Sequence, residues 1–449
     1  MNLIGDGSGM MNMEYKKRIV GWLWFLGAIL VVTHVSAAED SEAMFAAAAK
    51  YTVKMETIVR IPFVPKDQVG VFTGAGFVVD ARRGWVMTNA HVSKRSAATI
   101  RMKLRGGAWI PAKRVYVDPY LDVAIVAPRD AGKVSETTAA SLACEELPAV
   151  GHPVGAFGHP WGLDYTGTRG IVAGASDKFE VGALLTDAPI NSGNSGGPLI
   201  SLVTGKVVGI NTSAIEAKGV QNLNFAIAAH YVCKILDLLR AGRDPSPPEG
   251  TLVFFNDAES SGILKVARNF MPPGHLALLP GDVIKHVVGE LGPITRESEL
   301  VHALRGHLDK VTLRVERAGK EIELSGNIPA ATKLLDRKIV YASGVVFAER
   351  RHYNAAEVNL GGILATYVED GSLGLSAGFQ QFDAITTIDG ESVQDLEQVY
   401  RLLDGAHAAG RPASVAVTKQ VVGPQGRVFF AYREISLPVE ELRWMSVEE

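Results

Sequence analysis

The chain is short of three things, and each shortage excludes a class of protein. Only two of its 449 residues are cysteine, Cys144 and Cys233. They are far apart and form no metal motif, so no zinc site is expected, and a single bridge or two buried thiols both stay open. Neither sign of charge is in excess. Forty-five Lys+Arg against 48 Asp+Glu give a net charge of -3 and a pI near 6.4, which offers nucleic acid no basic surface. Long apolar runs are also scarce. The main one, Ile19 to Val35, is uncharged but somewhat short for a membrane span of roughly 20 residues.

What is present is globular: 47% apolar and 21% charged residues, enough chain for two to four domains. Lys16, Lys17 and Arg18 precede the apolar run, and Ser36, Ala37 and Ala38 follow it in a small-x-small pattern. Residues 1–38 therefore read as a signal peptide or an uncleaved membrane anchor, with the body of the chain exported in either case. Residues 1–15 look like an extended start.

From Val53 to Gly209 the pattern is short β-type runs broken by Gly, Pro and Asp. Val53–Ile61, Gly76–Val79, Trp85–Thr88, Val123–Ala127, Gly170–Ala173 and Lys206–Ile210 are examples. Many short strands without long helices between them predict an antiparallel sandwich or barrel. One helix is expected over Ala229–Leu239, where Val232, Ile235, Leu236 and Leu239 recur at helical spacing. The proline-rich stretch Asp244–Gly250 reads as a linker. Beyond it, Pro280-Gly281-Asp282-Val283-Ile284 is echoed by Gln381-Phe382-Asp383-Ala384-Ile385. A helix-like run and alternating strands follow each copy. Two copies of one small α+β module are expected, too few for a solenoid.

The chemistry centres on Asn191-Ser192-Gly193-Asn194-Ser195-Gly196-Gly197-Pro198. Glycine reaches backbone angles closed to other residues. Such a turn can aim the amides of Gly193, Asn194 and Ser195 at the point that Ser195 Oγ faces, a nucleophile inside its own oxyanion hole. An ordinary Gly-rich loop is the plainer alternative. Upstream, His91 follows the strand Trp85–Thr88, and Asp122 opens the apolar run Val123–Val126. A carboxylate entering a core needs a partner. A satisfied structural histidine and a turn-capping aspartate are the plainer readings of each alone. Taken in order, His91, Asp122 and Ser195 make a general base, its orienting acid and a nucleophile. On that reading activity falls below roughly pH 6.5, where an ordinary histidine becomes charged.

The segments TGAGFVVD, GWVMTNAHV, DPYLDVAIV, GHPWGLDYTGTRGIV, TDAPINSGNSGGPL and NLNFAI, over roughly residues 53–230, resemble the protease domain of the HtrA (DegP/Deg) family. The resemblance implies a mostly β fold. A trypsin-like double β-barrel over 39–243 would be followed by PDZ-like domains at 250–330 and 340–440. It implies an ATP-independent serine endopeptidase of the periplasm, free or anchored to the inner membrane, acting on unfolded or misfolded proteins. It also implies trimers, to which Phe45 and Tyr51 could contribute, although both could equally be core residues. No cofactor is implied. PDZ domains would take peptide C-termini or internal segments, with Gly344, Val345, Val346 and Phe347 as the carboxylate-binding loop of the second. In trypsin-like folds the residue six before the nucleophile floors the primary pocket. Here that is Pro189, with walls expected from Ile190, Ile210, Asn211, Thr212 and Ile227, so cleavage after small or medium aliphatic residues is implied.

Several positions depart from the family pattern. Ser192 and Pro189 stand where Pro and Ala are more frequent, and His159 where Asn is common. Gln381-Phe382 replaces Pro-Gly. The stretch between Gly174 and Leu184 is short for the family's regulatory loop, which puts activation through a PDZ domain in question. Two other readings compete. Gly193-Asn194-Ser195-Gly196-Gly197 also fits a G-x-S-x-G esterase elbow, but that needs a helix after the serine, where Pro198 and a strand-turn-strand pattern stand instead. A non-proteolytic chaperone or PDZ scaffold would leave the three residues unexplained.

Overall fold

The computed structural model describes residues 41–64, 67–118, 120–130, 134, 137–176, 182–212, 223–249, 251–255, 262–349, 362–422 and 428–448. The expected signal or anchor, and residues 177–181 of the short loop, lie outside them. Among the described residues no helix is long and apolar enough to cross a membrane.

Helix α1 (41–51) leads into a closed six-stranded barrel. Its strands are β1 (Thr52–Val59), β2 (Gly70–Asp80), β3 (Trp85–Asn89), β4 (Ala98–Lys103), β5 (Ile110–Asp118) and β6 (Val123–Pro128). The four-residue helical turn α2 (Ala90–Ser93) follows β3. The barrel order is β1-β2-β3-β6-β5-β4, with β4 closing on β1. A second closed barrel holds β7 (Pro153–Gly158), β8 (Thr166–Ser176), β9 (Ala183–Thr186), β10 (Pro198–Ser201), β11 (Val207–Thr212) and β12 (Asn224–Ala228). Closure removes the unpaired edges that an open sheet of short strands would leave. The short β-type runs read from the sequence fill the barrel interior: Met55, Phe77, Met87 and Ile125 are all buried there. Each such side chain contributes about 1.5–3 kcal/mol by leaving water. Strands, not a helix, follow Ser195, which removes the esterase elbow.

Helix α3 spans Ala229–Arg240, where the sequence predicts Ala229–Leu239, and packs Val232, Ile235 and Leu236 into the same core. Tyr51 is buried in that core. Phe45 lies on Phe157, with ring centroids 5.8 Å apart, over Gly155 and Gly167, where any Cβ would strike its ring. Tyr51 is thus a core residue, the alternative role expected for it, and Phe45 is half-buried against the second barrel.

The first small module contains β13 (Leu252–Phe254), β14 (Leu264–Asn269), β15 (Val283–Val287), α4 (Glu297–Leu304), β16 (Val311–Arg317) and β17 (Lys320–Gly326), in sheet order β13-β14-β15-β16-β17. The second contains β18 (Lys338–Ala342), β19 (Val345–Glu349), β20 (Ile363–Val368), α5 (Leu373–Ala377), β21 (Ala384–Ile388), β22 (Glu391–Ser392), α6 (Leu396–Ala408), β23 (Ala413–Val422), β24 (Val428–Leu437) and β25 (Leu442–Ser446). The two modules repeat one hydrogen-bonded turn. Asp282 accepts from Leu279 N and pairs with Arg317; Asp383 accepts from Gln380 N and pairs with Arg433. Gly281 has φ 96°, and Phe382 at the matching place has φ 71°. The Gln-Phe departure therefore keeps a turn suited to glycine at some backbone cost.

Cys144 and Cys233 are joined, tying the segment before β7 to α3 across 89 residues. Closing so long a loop restricts the unfolded chain, with an upper value of about 4–5 kcal/mol. Replacing both cysteines by serine should lower the unfolding free energy by several kcal/mol in a denaturant titration. A change within 0.5 kcal/mol would show that the bridge does not constrain the unfolded state.

Candidate active site

Strand β3 delivers His91 into α2, and the turn between β5 and β6 delivers Asp122 beside it. Asp122 Oδ2 lies 2.5 Å from His91 Nδ1, and Oδ1 accepts the His91 backbone N–H at 2.9 Å. The Asp122 carbonyl accepts from Ala90 N and from Asn89 Nδ2, each at 3.0 Å. Asp122 holds φ 53°, a left-handed angle that Asp tolerates better than most residues. The carboxylate thus fixes both the position of the histidine and the ring nitrogen that carries the proton, leaving Nε2 for other work.

Ser195 enters from the second barrel and is almost fully buried, at 5% exposure. Its carbonyl accepts Ala75 N at 2.8 Å, which stitches the serine turn to β2 of the first barrel. Gly74 is wedged between Val92 and the Ser195 carbonyl, where a Cβ would meet Val92 at 2.7 Å. The residue after His91 and the serine turn therefore converge on one glycine. In this structure the hydrogen bonds of His91, among the described residues, run to Asp122 and not to Ser195.

The serine turn can form only because its glycines lack side chains. Gly193 has φ 101° with a Cβ position inside the His159 carbonyl, and Gly196 has φ 84° with one inside Ala75 O and Thr88 Oγ1. The Ser192 carbonyl accepts Trp161 N at 2.9 Å, so the Gly193 N–H across the same trans peptide faces the other way. Among the described residues neither the Gly193 nor the Ser195 amide has a partner. Asn194 differs. Its N–H donates to Asn191 O at 2.9 Å, which withdraws it from the expected set of oxyanion donors.

A family model described as a trypsin-like peptidase domain matches residues 74–210. A DegP-like periplasmic serine endoprotease of Pseudomonas fluorescens is 31% identical over 392 residues, covering 80% of this chain and 78% of that one. The periplasmic serine endoprotease DegP of Escherichia coli K12 is 27% identical over 74% of this chain and 72% of its own length. Among solved structures, a variant of the HtrA-type protease AlgW with a tripeptide is 25% identical with a TM-score of 0.51, covering 65% of this chain and 97% of that one.

The chain belongs to the HtrA family. It is a serine endoprotease with a trypsin-like double barrel. Relatives named as periplasmic agree with an exported chain.

Other residues expected at the site of this HtrA protease fall less simply. Pro189 is exposed, its carbonyl held by Thr168 Oγ1 at 2.7 Å. Ile210 and Ile227 face each other across β11 and β12 and are buried in the main core, at 1% and 0% exposure. They are corrected from pocket walls to core residues. Ile190 packs in the smaller cluster with Val154 and Leu199. The Asn211 side chain is committed to Phe157 O and Pro198 O, and Thr212 is the last described residue before 223. In the second module Ser343 and Gly344 form a tight hairpin turn, φ 48° and 91°, between β18 and β19. Strand β19 is paired on both edges, to β18 and β20, and Val345, Val346 and Phe347 are fully buried. Gly344–Phe347 is therefore not an open carboxylate-binding loop, a second correction. The chain's own strand β18 fills the edge a peptide would use.

In the sequence His159 stands out only as a departure from Asn, with no signal of its position beneath the serine turn. Its N–H donates to Gly193 O at 3.2 Å, and its side chain is 1% exposed. Burial, helped by nearby Lys54, lowers its pKa to about 4. Burial also lowers His302, to about 3. Below pH 6.5 the unfolded chain takes up these protons and the folded chain does not, so stability falls as the pH drops from 6.5 toward 4. His159→Asn should reduce, without abolishing, the fall in Tm between pH 7 and pH 4.5. An unchanged fall would mean that His159 is not held neutral by the fold.

Proposed function

We propose that this protease cleaves unfolded or misfolded proteins in the periplasm through Ser195, His91 and Asp122. The two-point clasp of His91 by the Asp122 carboxylate, beside a serine turn with two unpaired amides, carries this reading. His91 Nε2 takes the proton of Ser195 Oγ as the oxygen attacks the substrate carbonyl. Asp122 holds the imidazole and stabilises its charged form. The Gly193 and Ser195 amides receive the oxyanion, a contribution of roughly 3 kcal/mol per donor. His91 then protonates the leaving amine, and water resolves the acyl-enzyme by the same steps in reverse. No ATP or metal enters this scheme.

Pro189 carries no charge to select Lys or Arg, and the neighbouring Ile190 is apolar. Both features favour small or medium aliphatic residues before the scissile bond. Incubation with casein tests both statements. The mature chain should degrade it, with cuts after residues such as Val and Ala. Ser195→Ala should abolish turnover, and Asp122→Asn should lower kcat by about 10⁴-fold. Dominant cleavage after Lys or Arg would reject the pocket assignment. Equal hydrolysis by Ser195→Ala would reject the nucleophile. Suppressed casein aggregation without any cleavage would favour the chaperone reading.

Peptide recognition belongs with the first PDZ-like module. There β13 pairs, among the described residues, only with β14, and Leu252, Phe254, Leu300 and Leu304 line an apolar cavity of about 150 Å³ whose other walls include Tyr120, Pro247 and Leu334. A peptide can add to that edge as a further strand. The chain should bind one hydrophobic-ended peptide by fluorescence anisotropy, and Phe254→Asp should remove the binding. Two sites per chain, or indifference to Phe254→Asp, would refute this.

A further inference from the structure

All three C-terminal parts of the chain dock on one strand, β5, which ends at the turn bearing Asp122. The chain's C-terminal segment reaches Arg114: Glu448 Oε1 accepts from Arg114 Nε at 2.9 Å and the Val447 carbonyl from Nη2 at 2.9 Å. The first small module reaches Asp118: Arg305 Nη1 lies 2.6 Å from Asp118 Oδ2, and both side chains are fully buried. The segment between the modules reaches Val117: Leu334 is buried in a cluster with Ala90, Val117 and Ala124.

Each of these contacts has a second side that faces the active site. Arg114 Nη1 donates to the carbonyls of Ser93, Lys94 and Ser96 at 3.3, 2.9 and 2.8 Å, which holds the end of the helical turn that carries His91. Asp118 Oδ1 accepts the amides of Tyr120 and Leu121, each at 3.0 Å, which shapes the turn that carries Asp122. Ala90, against which Leu334 packs, immediately precedes His91 and donates to the Asp122 carbonyl. Removing one partner of a buried ion pair leaves the other charge uncompensated, which destabilises its surroundings. Loss of Glu448 therefore leaves Arg114 held by carbonyls alone, and loss of Arg305 leaves the Asp118 charge with only the Tyr116 hydroxyl and two amides, which loosens the turns beside His91 and Asp122.

We propose that the two C-terminal modules are part of the catalytic apparatus, with Arg114, Asp118, Leu334, Arg305 and Glu448 acting as positioning residues that set the His91–Asp122 pair through β5. The proposal rests on the assignment of His91 and Asp122 made above. A displacement of about 1 Å in such a pair costs on the order of 100-fold in rate, so the effect falls on kcat and not on substrate binding.

The test uses the full mature chain and its Glu448→Gln, Leu334→Ala and Arg305→Met variants. The conservative Leu334→Met and Arg305→Lys serve as rescues. Glu290→Gln serves as a control. It removes the 2.9 Å bridge from Lys234 on α3 to the first module without touching β5. Three quantities are read: kcat and KM on a peptide, the rate of Ser195 labelling by a fluorophosphonate, and hydrogen exchange over residues 89–96 and 118–123. The first three variants should lose ten- to a hundred-fold in kcat and in labelling rate, with KM within threefold and faster exchange in both segments. The conservative variants should recover most of the loss, and Glu290→Gln should stay within twofold of the parent. Wild-type kcat and exchange in Glu448→Gln and Leu334→Ala would overturn the proposal, as would an equal loss in Glu290→Gln. If Arg305→Met does not fold, those two variants decide. A parent chain inert to both peptide and fluorophosphonate rejects the assignment of the catalytic residues, while the exchange comparison still judges the role of β5.

Discussion

Asp122 holds a left-handed backbone angle while both of its carboxylate oxygens are committed to His91. A residue in that conformation persists only where its surroundings over-determine it. Its own carbonyl is fixed from β3 by Asn89 and Ala90. The turn before it is fixed by Asp118, whose charge is balanced from another module by Arg305. The candidate site and the contacts that dock the C-terminal half on β5 thus meet at the turns that hold that one carboxylate.

The serine turn is over-determined in a different way, by the absence of side chains. Gly193, Gly196 and Gly197 each sit where a Cβ would run into a neighbouring carbonyl, and each of those neighbours belongs to a strand or loop of a barrel wall. The Ser195 carbonyl is used to bind the first barrel through Ala75. The same backbone that presents the nucleophile thus joins the two barrels, so the site cannot open without separating them.

Much of this was legible in the chain because the signals were local. His91 at a strand end, Asp122 at the head of an apolar strand and the glycine-rich serine run each carry their chemistry in a few consecutive residues. The helix at Ala229 was legible from its spacing for the same reason. The errors concern residues whose role depends on what lies across from them. Ile210 and Ile227 look like pocket walls in sequence, but register pairs them inside the core. Gly344–Phe347 looks like an open binding loop, but β18 lies against it. The Asn194 amide is spent within its own turn, a matter of backbone direction that residue type does not reveal.

The sequence by itself determined the mostly β architecture, the candidates for nucleophile, base and acid, and the repeated module near the C-terminus. These rest on residue type, order and short-range periodicity. Only the tertiary structure decided the pairing of Cys144 with Cys233, the pairing of β19 on both of its edges, and the convergence of Glu448, Arg305 and Leu334 on β5. Those facts depend on distances between residues far apart in the chain. The side chains that meet there, ordinary surface-type charges and one leucine, have no pattern that singles them out until the fold removes water from between them.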